Sequence, residues 1–216
     1  MKRVFGLFEA IFDVVYLIAA LTLGFVLLST KSDNTARLLA GVMAIVLVCG
    51  DAFHLLPRIK VIITHQEERL RRALGIGKQV TSITMTFFYL FLWQIGLMIF
   101  PPISTNFWTY LVYFLATVRI LLCLLPQNKW QDRYPPVNWG IWRNIPFFLL
   151  GIAVAVLFFL QRNQTPSLNL MWLSILLSFG FYLPVVLYSN KNPKIGMLML
   201  PKTCTYLWML AMCLSL

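Results

Sequence analysis

Apolar runs of about twenty residues recur along this chain, the length an α-helix needs to cross the hydrocarbon core of a bilayer. Inside that core no water can satisfy a backbone N–H or C=O, so each run must close its own hydrogen bonds as a helix. Seven such spans are predicted, at about 4–29, 37–60, 78–100, 107–126, 144–161, 168–189 and 197–215. Only 12% of the residues are charged and 60% are hydrophobic, against about 25% charged in soluble domains. The expectation is an all-α integral membrane protein: one domain over residues 1–216, built as a seven-transmembrane-helix bundle.

The connections are short and polar. Met1-Lys2-Arg3 precedes the first span, whose interior Glu9 and Asp13 and lack of a small-residue cleavage site argue for an anchor helix over a signal peptide. A turn at Lys31-Ser32-Asp33-Asn34 follows, and Pro57 is expected to kink the end of the second span. Residues 61–77 read as a separate helix on the membrane surface, supported by Glu67→Arg71 and Glu68→Arg72 at i, i+4. Pro101-Pro102 stops the third span, and the connection 127–143 carries Trp130, Trp139, Trp142 and Arg143, a headgroup-level composition. Basic residues crowd one set of connections, whereas the other set holds only Lys31, Arg37 and Arg162. By the positive-inside rule the N-terminus is cytoplasmic and the C-terminus outside. Leu55-Leu56-Pro57 echoes at Leu124-Leu125-Pro126 and at Leu183-Pro184, through either parallel repeats or independent use of Pro at helix ends.

The informative residues are the charges inside the spans. Asp51 and His54 lie one helical turn apart in Val46–Arg58, and Glu9, Asp13 and Tyr16 share a face of the first span at i, i+4 and i+7. Lys78, Ser82 and Tyr89 share a face of the third, Arg119 lies in the fourth, and Lys202 opens the seventh. At about 1.5 Å per residue, Glu9 and Asp13 lie roughly 9 and 15 Å from the cytoplasmic ends, Asp51 roughly 13 Å and Arg119 roughly 10 Å. A carboxylate at such depth costs several kcal/mol unless it has a partner, a wet cavity or a proton. Asp51–Arg119 and Asp13–Lys202 are the expected couples. The charged slab is either a pocket opening to the cytoplasm or a set of structural ion pairs.

Other chemistries find little support. The net charge of +11 sits at helix ends, as membrane topology demands, so nucleic acid is not an expected partner. Cys49, Cys123, Cys204 and Cys213 lack metal spacing and read as apolar filler. Two histidines, His54 and a solvated His65, do not make a zinc site. No phosphate loop, dinucleotide fingerprint or nucleophile elbow occurs, and no metal or cofactor is expected.

Gly50-Asp51-Ala52-Phe53-His54-Leu55-Leu56-Pro57 resembles the Gly-Asp-Ala/Val motif, often followed by Leu-Pro, of the bacterial lysoplasmalogenase-like membrane family. That family is a branch of the multispan membrane hydrolases that includes alkaline ceramidases. A looser similarity covers about Leu176–Leu216. The family's second aspartate has no counterpart in Leu177–Tyr182, and the three histidines of the ceramidase-like branch are missing, so Asp51 alone carries over. The resemblance implies hydrolysis of a lipid, in the family a vinyl-ether bond of a lysophospholipid. Asp13 or Glu9 would then supply the second carboxylate and His54 would assist, while Arg119, Lys78, Lys202, Ser82 and Tyr16 would hold the substrate. The competing expectations are a non-enzymatic binding or transport protein for a small ion or metabolite, and a structural membrane protein whose buried charges are all paired. Short loops suit a bacterial plasma membrane.

Overall fold

Each apolar run folds as a helix. The computed structural model describes residues 2–29, 34–100 and 106–216. The turn at 30–33 and the Pro101-Pro102 stop lie outside the described residues. The helices are α1 (Lys2–Ser29), α2 (Thr35–Thr64), α3 (Glu67–Ile99), α4 (Asn106–Leu124), α5 (Val137–Leu160), α6 (Met171–Tyr188) and α7 (Met199–Met212). Short 3-10 turns at Pro166–Leu168, Pro193–Leu198 and Cys213–Ser215 extend the last two, giving apolar segments Pro166–Tyr188 and Lys194–Ser215. By length and composition all seven segments are sufficient to cross a membrane.

The helices form a closed ring in chain order. Each packs on the next, α7 returns to α1, and α3 also leans inward against α5. Phe88, Tyr89, Phe147, Phe179 and Tyr206 interlock at the centre, with ring centroids 5.1–5.5 Å apart. The outward faces are apolar too: Leu7, Ile11, Val15 and Ile18 on α1 are more than half exposed, as a lipid-facing helix requires. Cys49 and Cys204 are exposed, whereas Cys123 and Cys213 are buried and all four are free thiols.

The two ends of the bundle differ. At one, Asn34 caps α2 by accepting from the Ala36 N–H and donates to the Leu216 carbonyl, while Arg37 donates to the Leu214 carbonyl. At the other, Arg58 near the end of α2 donates to Glu9 near the start of α1. That second end, the basic end, also holds the α4–α5 and α6–α7 connections.

The separate surface helix expected over 61–77 does not form. Helix α2 runs through Pro57 to Thr64, reverses at His65 and Gln66, and α3 continues unbroken for 33 residues. His65 makes the reversal in the left-handed region, at φ 57°, and donates its N–H to the Val61 carbonyl. Helix α3 is about 50 Å long, more than the hydrocarbon core of a bilayer, which measures about 30 Å. Its ion pairs also differ from those expected: Glu68 takes Arg71 at i, i+3 and Glu67 takes Arg133 of the α4–α5 connection at 3.7 Å. The proline echo divides as well, since Pro57 and Pro184 lie inside helices while Pro126 begins the 3-10 turn Pro126–Asn128 after α4.

The hairpin is close-packed because of glycine. A Cβ on Gly77 would stand 2.3 Å from the Phe53 carbonyl oxygen and 2.7 Å from the His54 Cα, backbone atoms that cannot step aside. Gly77→Ala is therefore expected to destabilise the fold by about 1–3 kcal/mol. Gly180→Ala on α6, with nothing within 4 Å of the new methyl, is expected to gain about 0.5–1 kcal/mol from helix propensity. Thermal unfolding of the two variants in detergent micelles checks the contrast.

Candidate functional site

Two connections and six helices, α2 to α7, enclose a cavity of about 280 Å³ at the basic end. Helix α2 contributes His54, α3 Lys78, Ser82 and Met85, and α4 Arg119. The α4–α5 connection and α5 add Trp130, Arg133, Arg143 and Phe147; α6 and α7 close it with Tyr182 and Lys202. Five of these side chains are permanently or ordinarily cationic, and among the described residues no Asp or Glu is in the wall. An all-basic concavity inside an apolar bundle attracts anions strongly, because low-dielectric walls focus the field.

Arg119 is the most deeply buried of the five, at 1% exposure. Its Nε donates to Thr86 Oγ1 at 2.9 Å, Nη1 to the Arg143 carbonyl and to Asn144 Oδ1, both at 3.0 Å, and Nη2 to the Ser82 carbonyl at 3.3 Å. Phe147 lies under the guanidinium, 3.6 Å from centroid to Cζ. One group thus ties α3, α4 and α5 together, and neutral oxygens rather than a carboxylate satisfy it. The expected Asp51–Arg119 couple is absent. Asn144, which also accepts from Tyr182 at 3.2 Å and donates to the Gly140 carbonyl at 2.7 Å, is the hub of this network.

Lys202 contrasts with Arg119. It is 6% exposed, forms no ion pair and has no oxygen acceptor among the described residues. Its ammonium stands 4.7 Å from the Tyr182 ring and 4.8 Å from the Tyr206 ring. Such faces stabilise a cation without neutralising it. The expected Asp13–Lys202 couple is absent too. Lys78 likewise has no carboxylate partner among the described residues, and Ser82 donates its hydroxyl to the Lys78 carbonyl at 2.8 Å. Arg143 is partly engaged, donating to Asn128 Oδ1 at 2.9 Å above the Trp130 ring.

The carboxylates occupy the other side of His54. Tyr16 donates to Asp51 Oδ2 at 2.6 Å, both side chains being buried. Asp13, 4% exposed, feels the charges of Glu9, Arg58 and Asp51 but makes no hydrogen bond among the described residues. Glu9 accepts from Arg58 Nε at 2.8 Å, at the bundle's edge. So the structure gathers Lys78, Ser82, Arg119, Lys202 and His54 around one hollow, and places Glu9, Asp13, Tyr16 and Asp51 between α1 and α2, outside its wall. His54 links the two groups: it lines the cavity, sits three residues after Asp51, and its Nδ1 has no hydrogen-bond partner among the described residues. Among the described residues no three His, Cys, Asp or Glu side chains gather as metal ligands.

The sequence reading missed Thr86, Asn144, Arg143, Tyr182 and Tyr206. Asn144 carried a signal, an amide within an apolar span beside an arginine; the tyrosines carried none beyond spacing. Comparison with family models, curated proteins and solved structures finds no match for this chain.

Arg119→Lys keeps the charge but loses the planar fork that reaches three helices. A loss of about 2–3 kcal/mol is expected from the abandoned charged hydrogen bonds, with little change for Lys78→Met. Unfolding midpoints in the same detergent check it.

Proposed function

We propose that this chain is an integral membrane protein that binds the anionic headgroup of an amphiphile, a phosphate monoester or carboxylate, in its basic cavity. One observation carries the proposal: Lys202, buried in the bundle without an oxygen acceptor among the described residues, faces a hollow whose described wall contains four further basic side chains and no acid. Burying an unpaired ammonium is costly, and an anion arriving in the hollow removes that cost through charge-assisted hydrogen bonds. A zwitterionic choline or ethanolamine headgroup fits less well, because its cation would stand among five basic side chains with no acid in the described wall. Met85, Phe147, Val185 and Val186 in the same wall supply apolar surface for the start of a chain. Placed by the positive-inside rule, the basic end faces the cytosol, with the N-terminus inside and the C-terminus outside. A bacterial plasma membrane suits this compact form.

A second reading is hydrolysis of the bound lipid, the activity that the lysoplasmalogenase resemblance implies. The position of His54, in the wall and one turn from Asp51, favours it. Asp51 or Asp13 would then protonate the vinyl-ether carbon, water would add to the oxocarbenium ion and return a proton to the carboxylate, and the hemiacetal would collapse to an aldehyde and the glycerol hydroxyl. The absence of any carboxylate from the wall makes this the lesser reading. Release of aldehyde from a lysoplasmenyl lipid by purified protein, lost in Asp51→Asn, is its test.

For the binding reading, lysophosphatidate in micelles and inorganic phosphate are titrated in parallel. Both are expected to bind, the lipid more tightly, and Lys202→Met is expected to weaken both about tenfold or more. Equal affinities for lipid and phosphate would identify a free anion as the ligand; no binding of either overturns the proposal.

A further inference from the structure

The buried carboxylate behind the cavity has a consequence for the anion in front of it. Asp51 receives one hydrogen bond, from Tyr16, and has no ion pair within 4.0 Å among the described residues. The positive charge that reaches it is that of Lys202. The neighbours around Asp51 are otherwise neutral or acidic. Asp13 and Tyr16 face it from α1, Tyr206 stands beside Lys202 on α7, and His54 follows one turn along α2. Helix α3 offers Thr81, whose hydroxyl donates to the Gly50 carbonyl at 2.8 Å, and Lys78, whose charge reaches His54. Lys202 therefore serves two negative groups, the fixed Asp51 behind it and any anion in the hollow ahead.

We propose that the cavity takes up its anion together with a proton, and that Asp51 is the group that holds this proton. This rests on the anion-binding reading and names how the same site is regulated. When Asp51 is ionised, the one positive charge within its reach is partly balanced from behind, and the cavity attracts an anion less. When an anion occupies the hollow, Lys202 is balanced from the front, and an ionised Asp51 would be left as an uncompensated charge in low dielectric. A proton moving from solvent onto a carboxylate oxygen of Asp51 relieves it. No covalent bond other than that O–H forms, and the charge of the incoming anion is offset by one. By reciprocity, protonating Asp51 strengthens anion binding by the same factor by which the anion strengthens protonation.

Sulfate is the probe, since it stays fully ionised across the neutral range and contributes no proton of its own. Its affinity for the full chain in nanodiscs is measured by calorimetry from pH 5.5 to 8.5, in buffers of high and low ionisation enthalpy. In wild type the affinity is expected to fall by up to about tenfold per pH unit, the linkage slope of one proton, with a matching proton uptake on binding. Asp51→Asn flattens that slope and abolishes the uptake, whereas His54→Gln and Asp13→Asn retain both. In wild type, sulfate also produces a protonated-carboxyl band in the infrared difference spectrum, a readout that needs no variant to fold. Uptake that survives in Asp51→Asn, or that disappears in His54→Gln or Asp13→Asn, overturns the assignment. Sulfate binding with no uptake and no carboxyl band overturns the coupling alone, and no sulfate binding at all overturns the anion reading with it.

Discussion

Taking a charge out of water is the constraint that arranges this molecule. In an α-helix the backbone oxygens are already used, so a buried cation can be satisfied only where a helix interior offers a spare lone pair, a hydroxyl or an aromatic face. Arg119 finds all three kinds of partner: carbonyls of Ser82 and Arg143, side-chain oxygens of Thr86 and Asn144, and the ring of Phe147. Those partners sit on α3 and α5, which explains why α3 leans inward against α5 rather than staying on the rim of the ring. The guanidinium is a structural pin whose pull also shapes one wall of the cavity.

The cations differ in role because they differ in partners. Arg119 is saturated by neutral oxygens, Arg143 is half engaged with Asn128, and Lys202 rests between two tyrosines with no ion pair among the described residues. This gradation matters more than their number. A pocket of fully paired charges would be a structural network; one with an unbalanced ammonium at its floor has electrostatic energy left for a ligand. The acids form no ion pair with it: Glu9 is held on Arg58, and Asp51, held on Tyr16, balances it only in part and from behind the cavity wall.

Much of this was legible in the residues. Apolar run lengths convey the number and order of the helices, and counting at about 1.5 Å per residue places the charges in one slab near the basic end. Depth is a one-dimensional quantity, however. Asp51 and Arg119 share a level yet point into different clefts, because rotation about each helix axis and the identity of its neighbours are set by packing. The charged pairs at Glu67→Arg71 and Glu68→Arg72 suggest a surface helix separate from the span after residue 77, yet α3 is continuous and Gly77 is a point where α2 and α3 touch backbone to backbone. Neutral partners such as Thr86 and Asn144 escaped notice for a similar reason, as nothing in a single sequence marks a hydroxyl as the acceptor for an arginine on another helix.

The free thiols offer something practical. Cys49 and Cys204 sit two residues from Asp51 and Lys202 respectively, on the outward sides of α2 and α7, while the remaining two cysteines are sealed inside. Spin labels or fluorophores attached there would ride on the backs of the two helices that carry the carboxylate and the ammonium. The wild-type chain thus comes already equipped as a molecular ruler, able to report whether those helices part when the hollow fills.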